Sequence, residues 1–218
     1  FGHPLASIVE SRGPRDIAVP PTIAVMPGSR DDELGCHLPA LAAAAVRLKR
    51  DRSARFVVVA ATQALESDLA ARWPAECGGA SAVVRSDAAS VASDADVAWV
   101  ASGTATLETA LRGAPQVTFY RVSPAQHRFV QRHLPHLLVG PVTLPNLVAG
   151  ERIVTELLQD ALSPERLVDE TVALLDDSGR RGAMIDGYAR MRAALGPRDA
   201  VDSIAAYVGS LLPSADPP

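Results

Sequence analysis

The stretch DVAWVASGTATLETAL, residues 96–111, joins a strand, a hydroxyl-rich loop and the start of a helix. Its first part is a nearly continuous apolar run, which is typical of a strand that is covered on both faces. The loop that follows contains Ser102, Gly103, Thr104 and Thr106. A simple turn needs one or two such residues, so this concentration of hydroxyls and small side chains predicts a loop that receives a polar ligand.

The alternation of apolar strands and amphipathic helices extends to both sides of this stretch. Further strands are predicted at 22–26, 55–61, 81–84 and 116–120, and helices at 38–49, 63–72, 87–93 and from the hydroxyl loop to Arg112. Strands that alternate with helices indicate βαβ units with right-handed crossovers. We therefore predict an α/β fold: a Rossmann-like parallel sheet with helices on both faces, followed by C-terminal helices.

The C-terminal region is predicted to be helical. Ser163 is suited to be an N-cap, with Pro164 at the first helical position. Two apolar stripes indicate two helices that pack against the sheet or against a partner. The stripes consist of Leu167, Val168, Thr171, Val172 and Leu175, and of Val201, Ile204, Ala205, Val208 and Leu212.

Composition excludes several classes of protein. The 218 residues carry a formal net charge of −4, so a broad electrostatic footprint for nucleic acid is not expected. Cys36 and Cys77 fit neither a disulfide framework nor a CxxC motif, which favours reduced thiols in the cytoplasm. No apolar stretch is long enough to span a bilayer, and no signal-peptide pattern is present.

Two predicted loops have the chemistry of a phosphate site. In MPGSRDDE, residues 26–33, Gly28 allows close backbone approach, while Ser29 and Arg30 offer a hydroxyl and a planar cationic fork. In SGTATLE, residues 102–108, backbone N–H groups at a helix start favour an anion, and Glu108 is placed to accept hydrogen bonds from ribose hydroxyls. Each loop alone is also common turn or capping chemistry. At one edge of a parallel sheet, the pair predicts a nucleotide diphosphate site.

Three further features have simpler explanations. DAD, residues 94–96, has the spacing of a metal-binding motif, but it precedes a strand at the opposite edge, so a turn or cap is favoured. The five histidines form no metal-ligand motif, and we predict neither a metal nor a cofactor. The stretch 120–136 contains Arg121, Arg128 and Arg132 beside Phe129, for which a solvated helix face is favoured over contact with anionic lipid headgroups.

Five segments in one order resemble the lipid-A-disaccharide synthase family: MPGSRDDEL, ASGTATLETAL, FYR (119–121), LPNLVAG (144–150) and ELLQ (156–159). The opening FGHPLA resembles the segment that links the two halves of that family. The resemblance implies a GT-B glycosyltransferase, in which two Rossmann-like domains face a cleft. It also implies transfer from UDP-2,3-diacylglucosamine to 2,3-diacylglucosamine 1-phosphate, giving a β-1,6 disaccharide and UDP.

The resemblance also assigns roles to residues. It implies a catalytic role for Arg30, which would offset the charge that grows on the departing diphosphate. It implies that Glu108 takes the ribose. The other implied nucleotide and donor contacts are Gly28, Ser29, Ser102, Gly103, Thr104, Ala105, Thr106, Tyr120, Arg121, Asn146, Glu156 and Gln159.

The resemblance further implies an interdomain linker (1–21), a UDP-sugar-binding domain (22–160), C-terminal helices packed on it (161–212) and a tail (213–218). The N-terminal half, with most of the acceptor site and the base, is expected to be missing, so we predict a donor-binding half that is inactive alone. The expected location is cytoplasmic, with peripheral contact at the inner membrane and a homodimer left open. The alternatives are another UDP-sugar GT-B enzyme, such as a UDP-GlcNAc epimerase or the peptidoglycan transferase, and a non-catalytic nucleotide-binding or dimerisation module.

Overall fold

A computed structural model of the chain describes residues 2–13, 15–134, 140–197 and 199–211. Six strands form one sheet in the order β3-β2-β1-β4-β5-β6, and every neighbouring pair is parallel. The strands are β1 (Thr22–Met26), β2 (Arg55–Val59), β3 (Val83–Val84), β4 (Val97–Ala101), β5 (Gln116–Tyr120) and β6 (Thr155–Leu158). The predicted α/β fold with a parallel sheet is confirmed.

Helices connect the strands and complete the chain. They are α1 (Pro4–Ile8), α2 (Asp31–Arg52), α3 (Gln63–Arg72), α4 (Ala88–Asp94), α5 (Thr104–Leu111), α6 (Pro124–His133), α7 (Leu144–Ala149), α8 (Pro164–Asp176), α9 (Ser178–Ala194) and α10 (Ala200–Leu211). None of the helices in the described ranges is long and apolar enough to cross a membrane.

Local signals explain several helix ends. The Ser163 hydroxyl accepts a hydrogen bond from the Arg166 backbone N–H at 3.2 Å, which confirms the predicted N-cap of α8. Helix α2 begins earlier than predicted, at Asp31. Its first turn carries three acidic residues, which the positive end of the helix dipole stabilises, and this favours the earlier start.

The core lies between the sheet and the helices on its two faces. Helix α2 packs against α8, and α4 packs against α5. Every residue of β4 is buried, as a central strand of such a sheet requires. The buried Trp99 indole donates a hydrogen bond to Thr171 Oγ1 of α8 at 2.8 Å, so the polar atom of this large side chain is satisfied within the core.

Helix α9 was not predicted. It approaches the segment before β6 through Gly187, where an added Cβ would lie 2.7 Å from Ile153 Cγ2. Met184, Tyr188 and Met191 of α9 are nevertheless buried at helical spacing, so the apolar pattern of this helix was present in the sequence and was missed. Strand β6 and helix α7 were also not predicted.

Helix α10 leaves much of its apolar stripe uncovered within this chain. Val201 and Val208 of the stripe are 45% and 49% exposed, and Ala200 is the one fully buried residue of the helix. Leu212, the last residue of the stripe, lies outside the described residues. Helix α8 packs on the sheet, and packing of α10 against a partner stays a prediction.

Asp96 fastens the chain at the amino edge of the sheet. Its fully buried carboxylate accepts hydrogen bonds from Thr22 N at 2.7 Å and Ala18 N at 3.2 Å, and it pairs with the Arg15 guanidinium at 2.8 Å. The carboxylate thereby joins the segment before β1 to the start of β4. The DAD motif has the structural role that its position at the amino edge predicted.

We expect Asp96→Asn to lower the free energy of unfolding by about 1–3 kcal/mol, because the amide cannot satisfy three donors as the carboxylate does. Asp94→Asn is the matched control, since Asp94 belongs to the same motif but is exposed, and we expect a change within about 0.5 kcal/mol. Urea unfolding of both variants measures the difference. Equal effects of the two substitutions would contradict the role of Asp96.

Candidate functional site

A cavity of about 540 Å³ opens at the carboxyl edge of the sheet. It is lined by Gly28–Arg30 after β1, by 86–88 after β3 and by 102–105 after β4. Met26 and Val100 are paired in register, so β1 and β4 end side by side and deliver their loops to one place. The two loops predicted to form a phosphate site therefore meet.

The loop after β1 is organised by Glu33. Its carboxylate accepts a hydrogen bond from Ser29 N at 3.1 Å and pairs with Arg30 Nη1 at 2.7 Å. Gly28 has φ +126°, and a Cβ there would lie 2.6 Å from Glu33 Oε2. The Arg30 side chain is 71% exposed and lines the cavity, while its guanidinium stays paired with Glu33.

The loop after β4 presents backbone groups rather than a full set of hydroxyls. Ser102 N donates to Phe119 O at 2.8 Å, and the exposed Gly103 precedes the first turn of α5. Thr104 is exposed beside it, whereas the Thr106 hydroxyl is turned inward and donates to Gly103 O at 2.7 Å. Ser102, Gly103, Thr104 and Ala105 line the cavity, and Thr106 braces the loop.

Glu108 lies half-buried in the second turn of α5. Burial raises the pKa of its carboxyl, and the negative charge of Asp87 raises that pKa further. Asp87 lines the cavity, whereas Glu108 is not among its lining residues. The predicted ribose contact stays a prediction.

Tyr120 and Arg121 lie where β5 ends. Burial raises the pKa of the Tyr120 phenol, and the charge of Glu33 raises it further. The Tyr120 ring lies 5.7 Å from the ring of His37 in α2 and is not among the residues that line the cavity. The Arg121 guanidinium donates to Gln159 O at 3.0 and 3.1 Å and to Leu162 O. Arg121 and Gln159 thus form a clip between the ends of β5 and β6.

Asn146 and Glu156 lie outside this cavity. The buried Asn146 amide accepts from Ile153 N at 2.7 Å and Val154 N at 2.9 Å, and it donates to Val154 O at 3.0 Å. These bonds fasten α7 to the segment before β6. The predicted sugar contact of Asn146 stays a prediction, and the role that the geometry shows is structural.

Glu156 caps the segment before α7. Its Oε1 accepts from Val142 N, Thr143 N and Thr143 Oγ1 at 2.7–2.9 Å. Burial acts to raise the pKa of this carboxyl, but the hydrogen bonds outweigh burial and lower it. The predicted sugar contact of Glu156 stays a prediction, and the role that the geometry shows is structural.

Sequence reasoning missed part of the cavity wall. Glu33 was inside a quoted motif without a role, and its position three residues after Arg30 is the spacing of an intrahelical ion pair. The 86–88 loop follows a strand of two residues and contains no glycine, so its sequence gave little signal.

Helix α6 carries Arg128, Phe129 and Arg132 of the basic stretch, whereas Arg121 precedes the helix, at the end of β5. None of the residues of α6 is buried, and Phe129 is 58% exposed. This agrees with the favoured solvated face, and contact with lipid headgroups stays a prediction. His136 lies outside the described residues, and within the described ones no group of three or more His, Cys, Asp or Glu could hold a metal ion.

Comparison with known proteins gives a consistent family. A sequence model of the family "Lipid-A-disaccharide synthetase" matches residues 1–201. Lipid-A-disaccharide synthase of Prochlorococcus marinus (strain MIT 9313) is 38% identical over 83% of this chain and 47% of its own length. The synthase of Myxococcus xanthus (strain DK1622) is 38% identical over 88% of this chain and 50% of its own. The chain therefore spans about half the length of these relatives.

Solved structures support the fold. The spinosyn rhamnosyltransferase structure has a TM-score of 0.55 at 16% identity, covering 87% of this chain and 46% of that one. At this identity the likeness bears on the fold alone. It agrees with the expectation of one half of a GT-B fold.

Two glycines near the cavity give a matched test of the loop after β1. We expect Gly28→Ala to destabilise the chain by about 1–3 kcal/mol, because φ +126° strains an L side chain and the Cβ meets Glu33. Gly35→Ala in α2 meets no atom within 4 Å, and we expect it to stabilise by up to about 1 kcal/mol. Thermal and urea unfolding measure the change in stability of each variant. An unchanged stability of Gly28→Ala would contradict the predicted backbone constraint at this position.

Proposed function

The chain belongs to the lipid-A-disaccharide synthetase family, and from this premise we propose that it is the donor-binding half of a glycosyltransferase of lipid A synthesis. The proposed donor is UDP-2,3-diacylglucosamine, and the proposed acceptor is 2,3-diacylglucosamine 1-phosphate. The observation that carries the proposal is the cavity in which Gly28–Arg30 and 102–105 meet. The names of the two relatives favour this activity over that of a UDP-GlcNAc epimerase.

The chemistry of the cavity suits a diphosphate. Backbone N–H groups at the start of α5 and the Arg30 guanidinium offer partial and full positive charge to phosphate oxygens. Glu33 holds Arg30 in place, and the exposure of Arg30 allows it to turn towards a ligand. Glu108, one turn further along α5, would accept hydrogen bonds from the ribose hydroxyls.

In the proposed reaction a hydroxyl of the acceptor attacks the anomeric carbon of the donor. The bond between that carbon and the β-phosphate oxygen breaks, and its electron pair remains on the departing UDP. Arg30 would stabilise the charge that grows on this oxygen, which is an electrostatic contribution to the transition state.

The proton of the attacking hydroxyl needs a base. Among the described acids that line the cavity, Glu33 is bound to Ser29 and Arg30, and Asp87 accepts from Ser90 N at 3.0 Å as a helix cap. We therefore propose that the base belongs to the other half of the whole enzyme and that this chain alone does not catalyse the transfer.

Nucleotide binding tests the site. We expect UDP to bind the chain without added metal, and Glu108→Ala to weaken that binding by about 1–3 kcal/mol through lost ribose contacts. Calorimetry with UDP and with pyrophosphate separates the ribose from the phosphates, and Glu76→Ala at an exposed turn is the control. Equal weakening of both ligands by Glu108→Ala would contradict the ribose assignment.

Arg30 is tested in the whole enzyme. We expect Arg30→Ala to lower kcat roughly a hundredfold to a thousandfold while donor binding weakens much less, because the guanidinium acts on charge that develops in the transition state. Arg30→Lys should restore only part of the rate, since an ammonium lacks the bidentate fork. Steady-state kinetics of these variants test the catalytic role, and Arg166→Ala at an exposed position is the control. A change confined to KM would assign Arg30 to donor binding alone.

A further inference from the structure

His37 is a fully buried imidazole beside the candidate site, and the proposed reaction does not use it. It lies near the start of α2, while His3, His127 and His133 are all more exposed. Its ring contacts Phe119 edge-on, with centroids 5.1 Å apart, and lies 5.7 Å from the ring of Tyr120. The imidazole therefore occupies the junction between α2 and the end of β5.

Two hydrogen bonds use both ring nitrogens. Nδ1 lies 2.7 Å from Pro27 O, and Nε2 accepts from Arg121 N at 3.0 Å. A carbonyl oxygen can only accept, so Nδ1 carries the proton; a backbone N–H can only donate, so Nε2 is bare. The neutral ring with its proton on Nδ1 is the one form that makes both bonds.

The two bonds connect the His37 ring to the loop after β1, which lines the cavity, and to the end of β5. Pro27 directly precedes Gly28, and Arg121 directly follows β5. Nδ1 ties the beginning of the loop after β1 to α2, and Nε2 ties α2 to the end of β5. Helix α2 also carries Glu33, which holds Ser29 and Arg30.

We propose that His37 is a positioning residue: its neutral ring pins the loop after β1 to the end of β5 and so sets Gly28–Arg30 for the donor diphosphate. This inference rests on the proposed function for the identity of the ligand. Protonation would make Nε2 a donor facing the Arg121 N–H donor. The bond to Pro27 would survive, and the bond to β5 would be lost.

The surroundings favour the neutral ring. The titratable and charged groups that face it are Glu33 from α2, and Tyr120 and Arg121 from β5 and its end. Burial lowers the pKa of the imidazole and outweighs the opposing effects of the Pro27 carbonyl and of Glu33. Because the unfolded chain takes up the proton at about pH 6.5, acidification below that value removes the stability that the neutral ring contributes.

Two amide substitutions separate the two bonds. In His37→Gln the amide stands near the Nε2 position and can accept from Arg121 N at every pH; in His37→Asn the amide stands near Nδ1 and can bond only Pro27. We expect both substitutions to lower UDP affinity about tenfold at pH 7.5, the usual effect of one buried hydrogen bond, because each variant keeps only one of the two bonds that position the loop. Unchanged affinity in both variants would overturn the proposal.

The pH dependence of UDP affinity distinguishes a positioning role of His37 from a merely structural one. Because burial lowers the pKa of the His37 ring, the ring takes up its proton below about pH 6.5 in the folded chain. Calorimetry with UDP from pH 7.5 down through the range in which NMR shows this ring titrating should show the unsubstituted chain and the His127→Gln control losing about tenfold more affinity than His37→Gln. The terminal phosphate of UDP also titrates near pH 6, and the His37→Gln profile corrects for it. Parallel profiles for the unsubstituted chain and His37→Gln across the range in which the ring titrates would overturn the proposal.

A spectroscopic measurement on the unsubstituted chain does not depend on the variants or on the ligand. Ring nitrogen–proton NMR spectra should show His37 protonated on Nδ1 at neutral pH, and the Arg121 amide should lose protection from exchange as the ring titrates. A proton on Nε2, or an Arg121 amide without protection from exchange at neutral pH, would overturn the proposal that His37 joins the loop after β1 to the end of β5. Failure of UDP to bind at pH 7.5 would instead contradict the proposed function and leave the spectra to decide on His37.

Discussion

The parallel pairing of β1 with β4 is the constraint on which the site depends. The strand order reverses there, because β2 and β3 lie on one side and β5 and β6 on the other. The helices that follow the two strands pack in different places, α2 against α8 and α5 against α4. The loops between these strands and helices must therefore diverge, and the divergence opens the cavity at the carboxyl edge.

Local patterns in the sequence predicted what local forces decide. Continuous apolar runs identified β1 and β2, and the Ser163–Pro164 pair identified the start of α8. Two of the three loops that line the cavity were also predictable, because glycine, hydroxyls and arginine after a strand are suited to binding an anion. That the loops are adjacent followed from the parallel sheet, since parallel strands deliver their carboxyl ends to one edge.

What the sequence did not reveal depends on contacts between distant residues. The Gly187–Ile153 contact that seats α9 is a contact between distant residues, and β6 is too short to show a periodic pattern. Asn146 illustrates the limit for site residues: its motif fits a family role, and the geometry shows its amide bonded to the backbone of Ile153 and Val154. A sequence motif identifies a residue that matters without saying whether it contacts a ligand or holds the chain that does.

Glu33 has a consequence for the cost of binding. Positive groups that are gathered in one loop repel each other. If the ligand has to order such a loop on binding, the cost of ordering lowers its affinity. Here the Glu33 carboxylate already binds the Ser29 amide and the Arg30 guanidinium, so these groups have a partner within the loop. An anion that binds both groups would have to replace that carboxylate. Such an exchange would favour an anion with more oxygens and more charge than a single carboxylate has.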